Sequence, residues 1–279
     1  MAKEYKSFFK SVTGNEGERC HYNTRLDTYG CGCQHNCAYC YARSLLAFRG
    51  NWHPEDPAVA DIEKIRRTIR KQLRPGDVVR LGGMTDCFMP LEGKHGVTRE
   101  TILELNRAGV DYLIVTKSPL IVDYMGILDK RLAHIQISIT STDNDISRRI
   151  EPGAALPASR IRTVETLAAN GFDAQIRLPP YVPAFVDIEA INRIECDRIL
   201  VEFLRVNGFI EKWLGIDTGG AYTHRNAGYR HLPLEEKIKL LEKVRKGEIT
   251  VCEDVPEHWE YWRKNVNANP EDCCNLKRG

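Results

Sequence analysis

The sequence predicts an α/β fold built on a parallel sheet, and three observations predict it. Strand-like and helix-like segments alternate through the middle of the chain. The helix-like segments carry apolar residues at i, i+3 and i+4 spacing, while the strand-like ones alternate. Glycine or proline punctuates most junctions. The alternation amounts to about six βα units, fewer than the eight of a closed barrel, so an open partial barrel and a wound sheet both fit.

The elements follow in order. A first strand falls near residues 22–28. "DIEKIRRTIRKQL" places Ile62, Ile65, Ile69 and Leu73 on one helical stripe and stops at Pro75-Gly76. "DVVRLGG" is a strand ending at Gly82-Gly83. "TRETILELNRAG" is a helix with Thr98 as its expected N-cap and Gly109 beyond its end. "DYLIVTKS" is a strand followed by Pro119, and "AHIQISITS" a strand of strict alternation. "ASRIRTVETLAANG" is a helix with Ile161, Val164 and Leu167 on one stripe. "DAQIRLPP" is a strand stopped by two prolines, "DIEAINRI" a short helix and "RILVEFL" the sixth strand. Near residue 217 the composition changes. "DTGGAYTHRNAGYRHLP" reads as a long loop and "PLEEKIKLLEKVRKG" as an amphipathic helix. The strand "EITVCEDV" and the Trp-rich helix "PEHWEYWRKN" complete an extension. The expected division is 1–216 for the main domain and 217–279 for the extension.

Composition bounds the function. The 279 residues are 42% apolar and 28% charged, which is globular rather than disordered. With 40 basic and 38 acidic residues, the net charge of +2 does not demand a nucleic-acid partner. No apolar run has the length of a membrane span, and the first residues show no apolar signal core. The expected setting is cytoplasmic, without a membrane partner. In a reducing compartment, ten cysteines point to metal or cluster binding rather than to a disulfide framework.

Two patterns carry chemistry. In "HIQISIT", Ile135, Ile137 and Ile139 share one face while Gln136, Ser138 and Thr140 share the other; in "AQIRLPP", Gln175 and Arg177 oppose Ala174, Ile176 and Leu178. With helices covering the apolar face, the polar face lines an interior suited to a ligand. The second pattern is "YGCGCQHNCAYCYAR", with Cys31, Cys33, Cys37 and Cys40 in ten positions. A zinc cage, an iron–sulfur cluster and free thiols are the three readings. Zinc sites usually draw on two separated cysteine pairs, so four ligands from one short loop make an awkward cage. The cluster is the preferred reading.

At Cys33, Cys37 and Cys40, spaced C-x3-C-x2-C, the sequence resembles the radical S-adenosylmethionine (SAM) enzymes. "GCQHNCAYCYAR", "RLGGMTDCFMPLE", "LIVTKSPLI", "ISITSTDNDISRRIEPGA" and "IRLPPYVP" resemble the spore photoproduct lyase-like branch of that family over roughly residues 22–205. The branch includes a DNA repair enzyme. The resemblance implies a partial (β/α)6 TIM-type barrel with a small C-terminal extension. It implies that Cys33, Cys37 and Cys40 hold a [4Fe–4S] cluster whose fourth iron binds SAM. One electron then cleaves SAM to a 5′-deoxyadenosyl radical that takes hydrogen from a substrate. It further implies SAM or cluster contacts from Tyr39, Gly82, Gly83, Thr85 or Asp86, Lys117 and Ser138; Thr140 and Arg177 join them as candidates because they share the inward polar faces, Arg177 for a carboxylate or a substrate phosphate. An internal pair with Glu202 is the plain alternative for Arg177. Cys87 is the expected hydrogen-atom donor, or else a buried structural thiol, and Cys31 is a bystander, or else replaces Cys33 as ligand or protects the cluster. A flavodoxin or ferredoxin is the expected electron donor.

The substrate expected from the branch is a nucleic acid, for repair or modification, with a peptide or a small molecule as the alternative. The basic helix stripe of Lys64, Arg66, Arg67, Arg70, Lys71 and Arg74 could follow a phosphate backbone or be a solvated face. The rival class is a non-catalytic metal- or cluster-binding nucleic-acid module. Cys252, Cys273 and Cys274 read as structural or surface thiols, since one adjacent pair among three is a poor pattern for an auxiliary cluster. Cys20 and Cys196 carry no signal.

Overall fold

Parallel strands need long returns, and the helices seen in the sequence supply them. The computed structural model describes residues 10–11, 19–22, 24–218 and 220–276. The first half contains β1 (Lys10–Ser11), β2 (Thr24–Leu26), β3 (Tyr29–Gly30), α1 (Tyr41–Phe48), β4 (Ala58–Val59), α2 (Ile62–Gln72), β5 (Val78–Leu81), α3 (Glu92–His95), α4 (Val97–Ala108) and β6 (Asp111–Thr116). There follow β7 (Ala133–Ser138), α5 (Asn144–Ile150), α6 (Pro157–Ala169), β8 (Asp173–Tyr181), α7 (Ile188–Asn192) and β9 (Arg198–Phe203). The chain ends with α8 (Gly208–Leu214), β10 (His224–Asn226), β11 (Tyr229–His231), α9 (Leu234–Leu241), β12 (Glu248–Cys252) and α10 (Pro256–Asn265).

Strands β2, β5, β6, β7, β8, β9 and β12 lie side by side in that order, all parallel. Short β1 pairs antiparallel with β2. This is the expected mixed α/β partial barrel, with a seventh strand. β12, read as part of the extension, pairs in parallel with β9 from Glu248↔Arg198 to Cys252↔Glu202. A five-residue strand with few apolar neighbours gives no sign in sequence of which sheet it joins.

The two faces sort as the alternation demands. Ile135, Ile137, Ala174, Ile176 and Leu178 enter the main core with Ile65, Ile69, Ile102, Leu105, Val164 and Leu167 from the helices. On the opposite face a second core joins Cys20, Tyr22, Val78, Leu113, Trp259, Cys273, Cys274 and Leu276. The polar residues of that face do not all await a ligand. Gln136 and Gln175 donate to the Cys274 carbonyl at 3.2 and 2.8 Å, and Arg198 donates to that of Asn275 at 2.5 Å. The chain's own tail thus occupies the interior near the starts of the strands.

Three local readings are corrected. Thr98 is not the N-cap of α4: Gly96 precedes the helix, and the Glu92 carboxylate accepts the N–H groups of Thr98 and Arg99, each at 2.9 Å. β8 does not stop at its prolines but runs through the cis Pro179–Pro180 peptide to Tyr181. The loop after residue 217 contains the β10–β11 hairpin, turned by Ala227 and Gly228 at φ +46° and +81°, the positive pair that a two-residue hairpin turn requires. Two of the six residues of the basic stripe are paired within the fold, Arg66 with Glu63 and Glu100 and Arg70 with Glu104. No helix among the described residues is long and apolar enough to cross a membrane.

Candidate active site

The cysteine loop runs from β3 to α1 and is held by two small turns, Asn36 N to Cys33 O at 3.0 Å and Cys40 N to Cys37 O at 3.3 Å. Cys33 and Cys37 are buried, Cys40 is half-buried just before α1, and all three thiols are free. The loop docks on the segment after α5. Ala38 N donates to Ile150 O at 2.8 Å, Gly153 N donates to His35 O at 3.3 Å, and His35 Nδ1 lies 3.0 Å from Gly153 O. A Cβ on Gly153 would fall 1.8 Å from Gln34 O, so only glycine permits this approach. Cys31 stands outside the trio, at φ +55° and with its carbonyl accepting from His53 N.

Behind the loop, Asp86 gathers the carboxyl ends of β5 and β6. Its Oδ1 accepts from Thr116 Oγ1 (2.8 Å) and Phe88 N (2.9 Å); its Oδ2 accepts from Lys117 N (2.8 Å) and faces His35 Nε2 (3.0 Å). Burial alone would raise its pKa, but His35 and the donors around Lys117 bring it down to about 2. Four partners fill the acceptor capacity of a carboxylate. Asp86 therefore positions the loop and has no lone pair left for a cofactor amino group. Asp27, at the end of β2, accepts from Met84 N at 2.8 Å and Thr85 N at 3.2 Å. The Thr85 hydroxyl donates to Tyr29 O at 2.9 Å. Gly82 stands at φ +77°, where a Cβ would meet Thr85 O at 2.6 Å; the turn itself requires glycine.

A charged brace closes the other side. Glu151 and Arg160 are fully buried and pair at 2.6 Å. Tyr39 donates its hydroxyl to Glu151 and lies 3.0 Å from Thr140 Oγ1, which donates to Pro179 O at 2.7 Å. Lys117 Nζ sits 5.7 Å over the Tyr39 ring. Burial would lower the Lys117 pKa, yet Cys37 and Glu151 together push it up, so the ammonium stays charged beside the sulfurs. Ser138 Oγ is buried and makes no hydrogen bond among the described residues.

These residues fit an iron–sulfur cluster and a polar cosubstrate. Burial pushes the Cys33 thiol up to about 12 and raises that of Cys37 as well. The protein alone gives these buried sulfurs too little positive charge to ionise, and bound iron supplies it. The unpartnered Ser138 hydroxyl and the Lys117 ammonium are suited to an amino-acid carboxylate.

Residues 28–183, more than half of the chain, match the Radical SAM superfamily. The chain belongs to the radical SAM superfamily. The cofactors of that family are a [4Fe–4S] cluster and SAM. Uncharacterized proteins of Methanocaldococcus jannaschii and Mycobacterium tuberculosis are each 25% identical to it over 167 residues. Those matches cover 57% and 56% of this chain but only 61% and 49% of the relatives, so the chain spans about half to three fifths of their length. Among solved structures, a cysteine-to-serine mutant of spore photoproduct lyase has a similar fold, with TM-score 0.64 and 12% identity over 96% of this chain and 80% of that one. The lyase complexed with dinucleoside spore photoproduct superposes with the same TM-score and identity over 95% and 79%. SuiB of Streptococcus suis bound to S-adenosylmethionine has TM-score 0.53 and 13% identity, covering 88% of this chain and 53% of that one.

In this radical SAM chain the structure brings together Cys33, Cys37, Cys40, Tyr39, Asp86, Lys117, Ser138 and Thr140, with Gly82, Gly83 and Thr85 in the adjoining turn. It sets Arg177 apart: the guanidinium meets Gln136 Oε1 at 2.5 Å and Glu202 Oε2 at 2.7 Å. The internal pair uses it up, because Glu202 arrives on the neighbouring strand. Cys87 is fully buried in the main core, where burial raises its thiol pKa and keeps the S–H intact. Sequence reasoning missed His35, Asp27, Glu151, Arg160 and Gly153. A histidine inside the cysteine loop and a lone glycine after a glutamate were the available signals, and neither names its partner.

Proposed function

We propose that this chain is a radical SAM enzyme acting on a nucleic acid, in repair or modification. The observation that carries the radical reading is the convergence of three free sulfurs with Lys117, Ser138 and the Asp86–His35 clamp at the carboxyl ends of the strands. Cys33, Cys37 and Cys40 would hold the cluster, which would supply the electron for reductive cleavage of SAM to methionine and a 5′-deoxyadenosyl radical. Lys117 and Ser138 orient the cosubstrate carboxylate, the Gly82–Gly83 turn faces its amino end, and Tyr39 with the Glu151–Arg160 brace fixes the loop. An external flavodoxin or ferredoxin supplies the electron, and Cys87 holds a hydrogen atom for return to product.

The nucleic-acid substrate is supported by the likeness to a lyase solved with a dinucleoside photoproduct and by the mouth of the barrel. Arg205 lies 4.5 and 5.5 Å from the ring centres of Tyr41 and Tyr229. Beside them a groove of about 490 Å³ is lined by Asn207, Arg225, Asn226, Tyr229 and Arg230. Arg205 and Arg230 are paired with Asp254 and Glu211, so Arg225 and the tyrosine rings are the groups offered to a phosphate and a stacked base.

The test is anaerobic reconstitution, dithionite reduction and chromatography for 5′-deoxyadenosine, with and without single-stranded, duplex and ultraviolet-irradiated DNA. Wild type is expected to form 5′-deoxyadenosine, faster with one of the DNA substrates, and the Cys33→Ala/Cys37→Ala/Cys40→Ala variant to form none. Formation unmoved by any nucleic acid sinks the substrate assignment; none at all from reconstituted wild type favours the non-catalytic binding module. Cys87→Ala is expected to leave cleavage intact and change the fate of the substrate radical.

A further inference from the structure

Four cysteines outside the active site come together from distant parts of the chain. Cys20 Sγ lies 3.2 Å from Cys273 Sγ, and Cys273 Sγ lies 3.8 Å from Cys252 Sγ. The sulfurs of Cys20, Cys273 and Cys274 are buried and all within 4.8 Å of one another. Cys20 precedes β2, Cys252 ends β12, and the adjacent pair sits in the tail. The fold, not a local motif, assembles them.

The tail turn is shaped around the pair. Buried Asp272 accepts from Cys274 N at 3.0 Å and Leu276 N at 3.1 Å, and Cys273 N donates to Arg19 O at 2.9 Å. Asn275 takes φ +51° to close the turn. Gln136 and Gln175 hold the Cys274 carbonyl from the sheet.

The spacing selects among ligands. An ion bound tetrahedrally by sulfurs at about 2.3 Å needs them about 3.8 Å apart. The sulfurs here lie around that value. A four-iron cluster places each thiolate on its own iron and holds the sulfurs farther apart. A disulfide would engage only two of the four. A closed set of four sulfurs with no open position is the pattern of a structural zinc site.

We propose that Cys20, Cys252, Cys273 and Cys274 bind one zinc ion as a tetrathiolate, fastening the C-terminal tail inside the barrel. Cys252, half-buried and outside the 4.8 Å group, completes the set by a rotation of its side chain. The four thiol protons leave to solvent on binding, and no electrons are transferred. The site is independent of the radical chemistry.

Zinc and iron per chain, measured on anaerobically purified protein, test this separately from the radical reading. The Cys33→Ala/Cys37→Ala/Cys40→Ala variant is expected to keep one zinc while losing iron. The Cys20→Ala/Cys273→Ala variant is expected to lose zinc at least tenfold while keeping the iron of one cluster. Should that variant not fold, cobalt(II) loaded into the Cys33→Ala/Cys37→Ala/Cys40→Ala variant is expected to show sulfur-to-cobalt charge transfer and the intense d–d bands of tetrahedral sulfur ligation. Absence of zinc from wild type together with absence of those cobalt bands overturns the proposal. So does twice the iron of one cluster in wild type, or a Cys20–Cys273 disulfide in the freshly isolated chain.

Discussion

The two halves of the barrel interior begin with the same inward-facing pattern and meet different fates. Near the starts of the strands, Gln136, Gln175 and Arg198 bind carbonyls of the chain's own tail. Near the carboxyl ends, Lys117 stacks over Tyr39 of the cysteine loop, and the buried Ser138 hydroxyl makes no hydrogen bond among the described residues. The same alternation of polar and apolar residues serves both. What distinguishes them is the segment that arrives from elsewhere: residues 272–276 at one end, and the glycine-edged loop of Cys33, Cys37 and Cys40 at the other. A polar strand face therefore identifies an interior but not its occupant.

The energetics differ as well. The tail is held by neutral hydrogen bonds to carbonyls along with one guanidinium, each worth about 0.5–3 kcal/mol. The cofactor end rests on a fully buried ion pair, Glu151 with Arg160. Removing one partner of such a pair strands the other charge and costs about 3–5 kcal/mol. Glu151→Gln is thus expected to cause the largest loss of stability, read as a drop in the urea midpoint, with reduced cluster retention because the Arg160 charge behind Tyr39 loses its partner. Gln136→Leu, at the tail, is expected to cost much less. Equal costs for the two would erase the proposed contrast.

Acid sharpens the comparison differently. The active-site end buries charges in pairs, whereas the hairpin buries an uncharged imidazole. His231, at the end of β11, has its pKa lowered to about 4, by burial first and then by Lys237, with Arg205 and His224 adding to it and Glu253 opposing. An unfolded histidine titrates near 6.5. Between these values the unfolded chain binds the extra proton, so stability is full above about pH 6.5 and falls as pH drops toward 4, by on the order of 3 kcal/mol. Chemical denaturation at pH 7 and pH 4.5 should show the wild type losing more stability than His231→Phe. Parallel losses in the two proteins would remove His231 as the source.

The legibility of each region follows from the range of the interactions that build it. The βα alternation and the strand faces are local periodicities, and they survive intact in the structure. So does the spacing of Cys33, Cys37 and Cys40, because one short loop holds all three. The seventh strand was not assignable, since "EITVC" says nothing about pairing with β9. Arg177 was ambiguous between cofactor and Glu202, and only the register of β8 and β9 decides it. Cys20 gave no signal alone and gains one only when the tail folds back to it. The partners of Asp86 come from residue 35, residue 88 and residues 116–117, and no local pattern announces that clamp.

The docking of the cysteine loop gives the subtlest contrast between the two ends. The tail approaches the sheet through side chains, which can shift to absorb a substitution. The loop approaches residues 150–153 backbone to backbone, with Gly153 N on His35 O and Ala38 N on Ile150 O. A methyl group at position 153 would sit 1.8 Å from Gln34 O, and no rotamer relieves a clash with a carbonyl. Gly153→Ala should push the loop outward at a cost of about 1–3 kcal/mol, the range for overpacking. The chain can fold through such a loss, so the effect belongs mainly to the site. We expect less cluster bound after reconstitution and slower 5′-deoxyadenosine formation, with far-ultraviolet circular dichroism unchanged. Unaltered iron content and rate would mean that the loop tolerates displacement and that its sulfurs, rather than its docking, fix the cofactor.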